Sequence, residues 1–594
     1  MSSKLLALIL FLIFSNVNIN AENYNWTNGG GRKTDPIASL KAEKGGAISV
    51  YGGQSPKSLN YYLDNNTFSA AVFSAMFDSL MGVHPITKEF IQGIAEKWAI
   101  ADSGLVFIFQ IDSKAKWSDG TPITAADVKY TYDVIMDPAS MTGVFKVGLE
   151  NFYSPEILDE RTIKFTAKEI HWRNLLELAT LNILPRHQME SLDFNKINFE
   201  FPVVSGAYKL KKIIEGKQIS LERRKDWWQT NYPDVVNTNN FDIINYKIVG
   251  NPDDAFDLFK RGEIDLYPVY TSRIWMKETD GEKFAKNWIV KQKIINQHPV
   301  GFQGFAMNMR REPFNDKRVR LALVHLLNRK MMNEKLMYSQ YFLHKSYFED
   351  LYDRNNICPN KETKFDKKKA RELLAASGWK ANNKGVLEKN GKEFVIRFLE
   401  RDKSVEKFVN IFSEDLKDVG IKLEIDLVDF AEWAKRMDEF QFDMTWASWS
   451  SSSFKDIEGM FHSKEARRLQ GNNITGFMNE VVDVISDKTK TLFNIEERHK
   501  LIRQADKIIF DEHPYVLLWN INYTRLLYWN KFGTPQTVLS KFGDDASALT
   551  YWWYDSEKDT ELKDAMNANE NLPPPKFEIK FDEEFGKAKK KVRR

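Results

Sequence analysis

Residues 117–131 read WSDGTPITAADVKYT. Ser118, Asp119 and Gly120 are turn residues, because short polar side chains bond their own backbone and glycine accepts a positive φ. Thr124 is placed to cap a helix, and Asp127, three residues on, to complete a capping box. Val128, Tyr132 and Ile135 then fall on one helical face. Just upstream, residues 105–111 (LVFIFQI) have the pattern of a strand. The stretch therefore encodes a strand end, a tight turn and a capped helix. That is scaffold chemistry, and it carries no catalytic group.

Similar punctuation recurs along the chain. Residues 47–51 form a strand-like run, and residues 69–81 place Ala71, Phe73, Met76, Phe77 and Leu80 at helical spacing. In NPDDAFDLFKRG, Asn251 caps and Pro252 takes the first turn. Asp253 and Asp254 sit at the positive end of the dipole, Lys260 and Arg261 at the negative end, and Gly262 stops the helix. Residues 314–327 carry Val319, Leu323 and Leu326 on one face. Helices alternate with strands throughout, the pattern of an α/β fold.

A chain of 594 residues exceeds one ordinary core and implies two or three domains. Its 43% hydrophobic and 28% charged residues are those of a soluble globular protein, and a net charge of +3 provides no global field for nucleic acid. Aromatics at 13% fit either core packing or a cleft lined with rings. Lys4 followed by the apolar run 5–14 has the form of a signal peptide over residues 1–21, cut after Ala21. The single cysteine, Cys358, permits no disulfide within a monomer and lies far from any lipid-anchoring position. These features predict a periplasmic, unanchored monomer. Leu572 and three prolines open the segment 572–594, which ends in basic residues and is expected to be a solvated tail.

Catalytic signatures are missing. The nine histidines include no pair at i, i+4 and no HExxH, and one cysteine cannot build a thiolate metal site. Neither a GxSxG elbow nor a GxxxxGK[ST] loop occurs. No catalytic residue, metal or cofactor is assigned, and the expectation is a binding protein and not an enzyme.

Several segments, taken together, resemble the family 5 extracellular solute-binding proteins, which include periplasmic oligopeptide-, dipeptide- and nickel-binding proteins. They are residues 94–133 around the opening stretch, SGAYKLKKIIEGKQISLERRKDWW (205–228), RGEIDLYPV (261–269), FAMNMRREPFNDKRVRLALVHLLNRKMM (305–332), ARELLAASGW (370–379), LKDVGIKLEIDLVDFAEW (416–433) and FDMTWASW (442–449). They fall in the family's order. MNMRREPFNDKRVR, LMYSQYFLHKSYFED and the late LTYWWYD are most similar to the Yej-type subgroup, which resembles importers of oligopeptides and of microcin C.

The resemblance implies a periplasmic-binding-protein type II fold, in which two lobes close on a ligand and the first is enlarged by an extra domain. On that pattern domain I takes 45–71, 199–295 and 525–571, domain II takes 72–198, and domain III takes 296–524. The implied partners are a peptide or peptide-like ligand and an inner-membrane ABC permease. A periplasmic hydrolase of peptides or cell-wall fragments, and a ligand-presenting sensor, remain as alternatives. In peptide-binding relatives the segment after FDMTWASW supplies an aspartate for the ligand's amino terminus. Here Ser452 stands at that position, within Trp449, Ser450 and on to Asp456, and Asp456 is the nearest replacement. Trp449, Ser450, Ser452 and Asp456 are the implied contacts from one lobe. Ser58, Asn60, Trp519 and Asn522 are those implied near the other lobe and the return to it.

Overall fold

The computed structural model describes residues 24–592. The expected signal peptide, residues 1–21, lies outside them. Two main sheets organise the fold. A mixed eight-stranded sheet runs Glu578–Lys580, Ile289–Ile295, Thr524–Trp529, Leu266–Pro268, Ala47–Gly53, Ile243–Ile248, Gln218–Arg223, Tyr208–Ile214. A five-stranded sheet runs Lys422–Leu427, Val395–Glu400, Met444–Trp449, Phe302–Met307, Tyr515–Leu517.

The eight-stranded sheet shares its core with a smaller antiparallel sheet, Ala95–Ala101, Val106–Ile111, Thr162–Thr166 and Glu156–Asp159. Ile48 and Val50 of the first and Phe107, Phe109 and Phe165 of the second belong to one continuous buried cluster. That shared core makes the two sheets one lobe. The five-stranded sheet is the centre of the other lobe and is covered on both faces. Side-chain alternation sends Phe305 and Met307 into one cluster with the helices Lys317–His325, Lys367–Ala376 and Glu406–Lys417. It sends Phe302 and Ala306 into another with Glu480–Lys490 and Ile495–Glu512. Each fully buried side chain of this kind stabilises by about 1.5–3 kcal/mol.

The opening stretch is built as its residues dictate. Trp117 is fully buried. Gly120 takes φ +89° in the turn, and its N–H donates to Trp117 O at 3.0 Å. The helix spans Ala125–Met136. Asp127 Oδ2 accepts from Thr124 N (2.8 Å) and Thr124 Oγ1 (3.0 Å), while its Oδ1 accepts from Arg186 N (3.0 Å). The cap therefore fixes a helix start and a distant loop together. Asn251 caps Pro252–Arg261, and Gly262 ends it at φ +83°. The helix expected over 314–327 begins later, at Lys317, because Asp316 accepts from Arg318 N and sets the start there.

The C-terminal segment differs from the expected solvated tail. After the prolines, Glu578–Lys580 pairs parallel to Ile289–Ile295, and the helix Phe581–Val592 follows. Ile579 and Phe581 are buried in the first lobe's core. Those two apolar residues, set among charges, bury an edge that the basic composition conceals.

Asp127→Ala removes three acceptor contacts and leaves two partly buried N–H groups, of Thr124 and Arg186, unpaired. It should destabilise the first lobe by about 2 kcal/mol. Urea or thermal unfolding of the full chain measures this, and Asp127→Asn should lose less.

Candidate functional site

The chain passes between the lobes twice, and the passages lie side by side. Residues 296–301 join Ile289–Ile295 of the large sheet to Phe302–Met307 of the other. Residues 521–523 return from Trp519–Asn520 to Thr524–Trp529. Asn520 Nδ2 donates to Gly301 O (2.9 Å), and Gln303 Nε2 donates to Trp519 O (2.8 Å). Gly301 has no room for a side chain, since a Cβ there would stand 1.9 Å from Trp449 O. On the first-lobe side, Asn296 Nδ2 donates to Ser540 O and Gly543 O, both at 2.7 Å.

The lobes meet again at a seam. Phe90 of the first stacks on Phe454 of the second, centroids 6.1 Å apart and planes 2° from parallel. Trp172 N donates to Lys490 O (2.9 Å), and the Arg498 guanidinium lies 4.0 Å over the Trp172 ring. Arg173 pairs with Asp456 (2.6 Å) and with Glu458 (3.2 Å). Glu458 is the hub: His171 from the first lobe is 3.6 Å away, Lys490 of its own lobe is 2.8 Å away, and Lys464 also pairs with it. Burial opposes ionisation of Glu458, but the bonds from His171, Lys464 and Lys490 outweigh it and hold the carboxyl well below the usual range.

Each lobe carries a strand end paired on one side only. Met444–Trp449 is hydrogen-bonded to Phe302–Met307 along its length, but on its other side only Met444 and Thr445 pair with Val395–Glu400. Trp446 to Trp449 thus leave an edge of main-chain donors and acceptors open, immediately before the loop that reaches the seam. In the first lobe, Ala47–Gly53 pairs fully with Ile243–Ile248, whereas Leu266–Pro268 meets it at Val50 alone. Beyond that point Tyr51 packs on Tyr267, centroids 5.8 Å apart. Tyr270 follows, with 70% of its surface exposed. Its carbonyl accepts from Tyr341 Oη of the opposite lobe (3.4 Å), and its own hydroxyl lies 3.5 Å from Asp545 Oδ1. Burial, then the Asp545 and Asp544 charges, push the Tyr270 phenol up, and burial and Asp544 push the Asp545 carboxyl up. Tyr270 thus stands at the junction of the lobes, its carbonyl bonded to the second and its hydroxyl beside Asp545 of the first.

Among the residues the sequence singled out, Trp449 ends the open edge, half-buried, its indole donating to Tyr515 Oη at 3.2 Å. Ser450 and Ser452 are exposed, and Ser452 Oγ accepts from Phe454 N (3.0 Å). Asp456 is engaged across the seam with Arg173. Asn522 is exposed on the return passage. Three others are buried within a lobe. Ser58 Oγ donates to Asn198 O and Asn60 Nδ2 to Ile197 O, so both tie a turn to the residue 197–198 segment and present no free polar group. Trp519 packs edge-on to Trp446 at 6.1 Å. Tyr270, Tyr341, Arg173 and Glu458 were not foreseen. For Tyr270 the available signal was an aromatic placed just past a strand's C-terminal end, where α/β proteins build sites.

Two cavities lie within the first lobe, away from the seam. One of about 550 Å3 is lined by Met189, Leu192 and Phe199, and one of about 270 Å3 by Asp78, His84 and Trp227. Among the described residues no group of three His, Cys, Asp or Glu is placed to hold a metal ion, and no helix is long and apolar enough to cross a membrane.

The model of the bacterial extracellular solute-binding proteins, family 5, matches residues 89–467, more than half of the chain. The chain belongs to this family. Its fold is the type II periplasmic-binding-protein fold. Curated relatives include an Agrobacterium fabrum protein named "Probable peptide-binding protein YejA", 26% identical over 87% of this chain and 90% of its own. Another from the same organism is named "Peptidoglycan-binding protein YepA", 23% identical over 84% of this chain and 89% of its own. Among solved structures, the oligopeptide-binding protein AppA of Bacillus subtilis, in complex with a nonapeptide, superposes with a TM-score of 0.68. It is 22% identical and covers 87% of this chain and all of its own. DppA of Helicobacter pylori, with the peptide STSA, gives 0.69 at 20% identity, covering 86% of this chain and 99% of its own.

Glu458→Gln should weaken the seam by on the order of 2 kcal/mol, because Arg173, His171 and Lys490 then face a neutral partner. The closed fraction of ligand-free protein should fall, read as a larger radius of gyration in solution scattering. A lowered carboxyl pKa stabilises fully above the ordinary glutamate value of about 4.3, and that stabilisation is lost as pH falls below it. The difference in scattering between the unmodified protein and Glu458→Gln should therefore persist from pH 7 to 5.

Proposed function

We propose that the protein is exported to the periplasm and acts there, as a monomer, as the solute-binding subunit of an ABC importer. It captures oligopeptides or peptide-like compounds between its lobes, performs no chemistry on them and delivers them to an inner-membrane permease. The open strand edge at Trp446 to Trp449 carries this reading. A peptide main chain laid along that edge satisfies donors and acceptors that the five-stranded sheet leaves free, so affinity arises from backbone and not from side-chain identity. Each such bond contributes about 0.5–1.5 kcal/mol net. A mostly open protein becomes mostly closed only with about 5.5 kcal/mol of preference for the closed state. A few main-chain bonds to one lobe fall short of that, so contacts to the second lobe, such as Tyr270 and the Tyr51 strand end, are required.

The relatives support a peptide cargo, since the names of two refer to peptide and peptidoglycan and two solved neighbours contain peptides. The amine anchor must differ from the one the family resemblance implies, because Ser452 replaces the carboxylate and Asp456 is engaged by Arg173. Asp545, with no ion pair among the described residues, is the available substitute near Tyr270.

Protein purified without refolding should carry peptide visible by native mass spectrometry. Added peptide at 100 times its Kd should stabilise it by about 2.7 kcal/mol, seen as a raised Tm. Peptides should remain intact after long incubation; their cleavage would favour the hydrolase alternative. Trp449→Pro, which removes the end of the edge, should abolish binding while Trp449→Phe retains it.

A further inference from the structure

Strand Thr524–Trp529 reads TRLLYW and lies inside the eight-stranded sheet, between Leu266–Pro268 and Ile289–Ile295. Its second residue, Arg525, is 1% exposed. Among the described residues its Nε and Nη1 have no hydrogen-bond partner, and no carboxylate forms an ion pair with it. Its only polar contact is a long one from Nη2 to Tyr523 Oη, at 3.4 Å. The guanidinium lies 5.2 Å from the Tyr341 ring centroid and 5.5 Å from that of Tyr523. A second cation stands nearby: burial and then the Arg525 charge push the Lys291 amine down, and its Nζ donates to Trp275 O and Thr279 Oγ1, both at 2.7 Å.

A buried guanidinium with unsatisfied N–H groups is destabilising, and aromatic faces offset only part of that. Buried charges are ordinarily paired. Every other arginine with a comparably buried side chain has acceptors here: Arg329 donates to the carbonyls of His344 and Leu517, and Arg320 pairs with Glu512. The position of Arg525 explains the exception. Tyr341, which covers it, belongs to the opposite lobe, and Tyr523 lies on the return passage. Tyr341 also bonds Tyr270 O, so Arg525 sits where the two lobes meet beside Tyr270.

We propose that Arg525 is the anion-binding residue of the inter-lobe site, whose free N–H groups receive a carboxylate or phosphate group of the captured ligand. A guanidinium meets such an oxyanion through two parallel bonds, from Nη2 together with Nε or Nη1, and the long contact of Nη2 to Tyr523 Oη leaves it an N–H to give. This rests on the reading of the cleft as the ligand site. With Asp544 and Asp545 beside the hydroxyl end of Tyr270 and Arg525 beyond its carbonyl end, the site selects a ligand with a cationic and an anionic end.

The test compares wild type with Arg525→Met and Arg525→Lys. Alanine peptides of three to five residues are titrated calorimetrically as free acids and as C-terminal amides, and acetate and inorganic phosphate are titrated by thermal shift. Wild type should bind the acids about tenfold or more tightly than the amides, Arg525→Met should bind both alike, and Arg525→Lys should fall between. Preference for acetate and acids over phosphate would identify a carboxylate, and the reverse a phosphate. Ligand-free Arg525→Met should have a Tm equal to or above wild type, because an unpaired buried charge has been removed. Equal binding of acids and amides by wild type, or an equal loss of both in Arg525→Met, would overturn the proposal. So would a lowered Tm of the ligand-free Met variant, the mark of a purely structural arginine. If no peptide binds but acetate or phosphate raises the Tm of wild type and not of Arg525→Met, the peptide reading fails and the anion site stands.

Discussion

Two strands of chain, crossing side by side between the sheets, are the constraint on which the rest depends. The passages run through Gly301 and Asn520, and the bond from Asn520 Nδ2 to Gly301 O ties them into one ribbon. Ile289–Ile295 and Thr524–Trp529 are antiparallel neighbours before the crossing, as are Phe302–Met307 and Tyr515–Leu517 beyond it. The lobes are therefore joined along one edge by a short paired ribbon, the arrangement in which hinge closure is found. Gly301 is also where that ribbon lies hardest against the second lobe, at Trp449 O. The residue that ends the open strand edge therefore touches the hinge itself. On the proposed reading, a ligand laid along Trp446 to Trp449 would act next to the passage at Gly301.

The remaining joints between the lobes are few and mostly polar, as a binding protein requires. A large apolar interface would fix the lobes shut, whereas a seam made of an aromatic stack, a cation over a ring, isolated hydrogen bonds and an ionic hub can open. Glu458 collects His171 and Arg173 from the first lobe and Lys464 and Lys490 from its own. The two lysines belong to its own lobe, so the carboxylate keeps these partners when the lobes part. The same design explains Asp456. It is the one carboxylate in the Trp449 loop, and here it is paired across the seam with Arg173.

Much of the architecture was legible because it is written in local chemistry. Caps, turns and stop glycines at Thr124, Gly120, Asn251 and Gly262 act within a few residues of their own positions, so the sequence displays both partners at once. The ligand face is different in kind. Ser58 and Asn60 were expected near the ligand from the family resemblance, but both are buried, and the carbonyls they bond, at Asn198 and Ile197, are far away in sequence. Asp456 looked like a spare carboxylate for the same reason, since Arg173 is invisible from its neighbourhood. Phe581 was hidden by the charges around it. What reading along the chain lacks is the partner, and a site is defined by which groups have none.

By that criterion Arg525 is the most informative residue of the structure, and the sequence holds only a hint of it. In TRLLYW a basic residue interrupts a run otherwise suited to the interior of a sheet, and the interior is where a charge is most costly. Arg329 shows that this fold can satisfy a buried guanidinium completely with main-chain carbonyls. Arg525 has been given aromatic neighbours in their place, which stabilise a cation without using its N–H groups. Such surroundings hold a charge ready and leave its hydrogen-bonding capacity for an arriving partner. A site of this kind is least stable when empty, and the free energy it holds back is recovered on closure, which is when a transport protein must discriminate ligand from water.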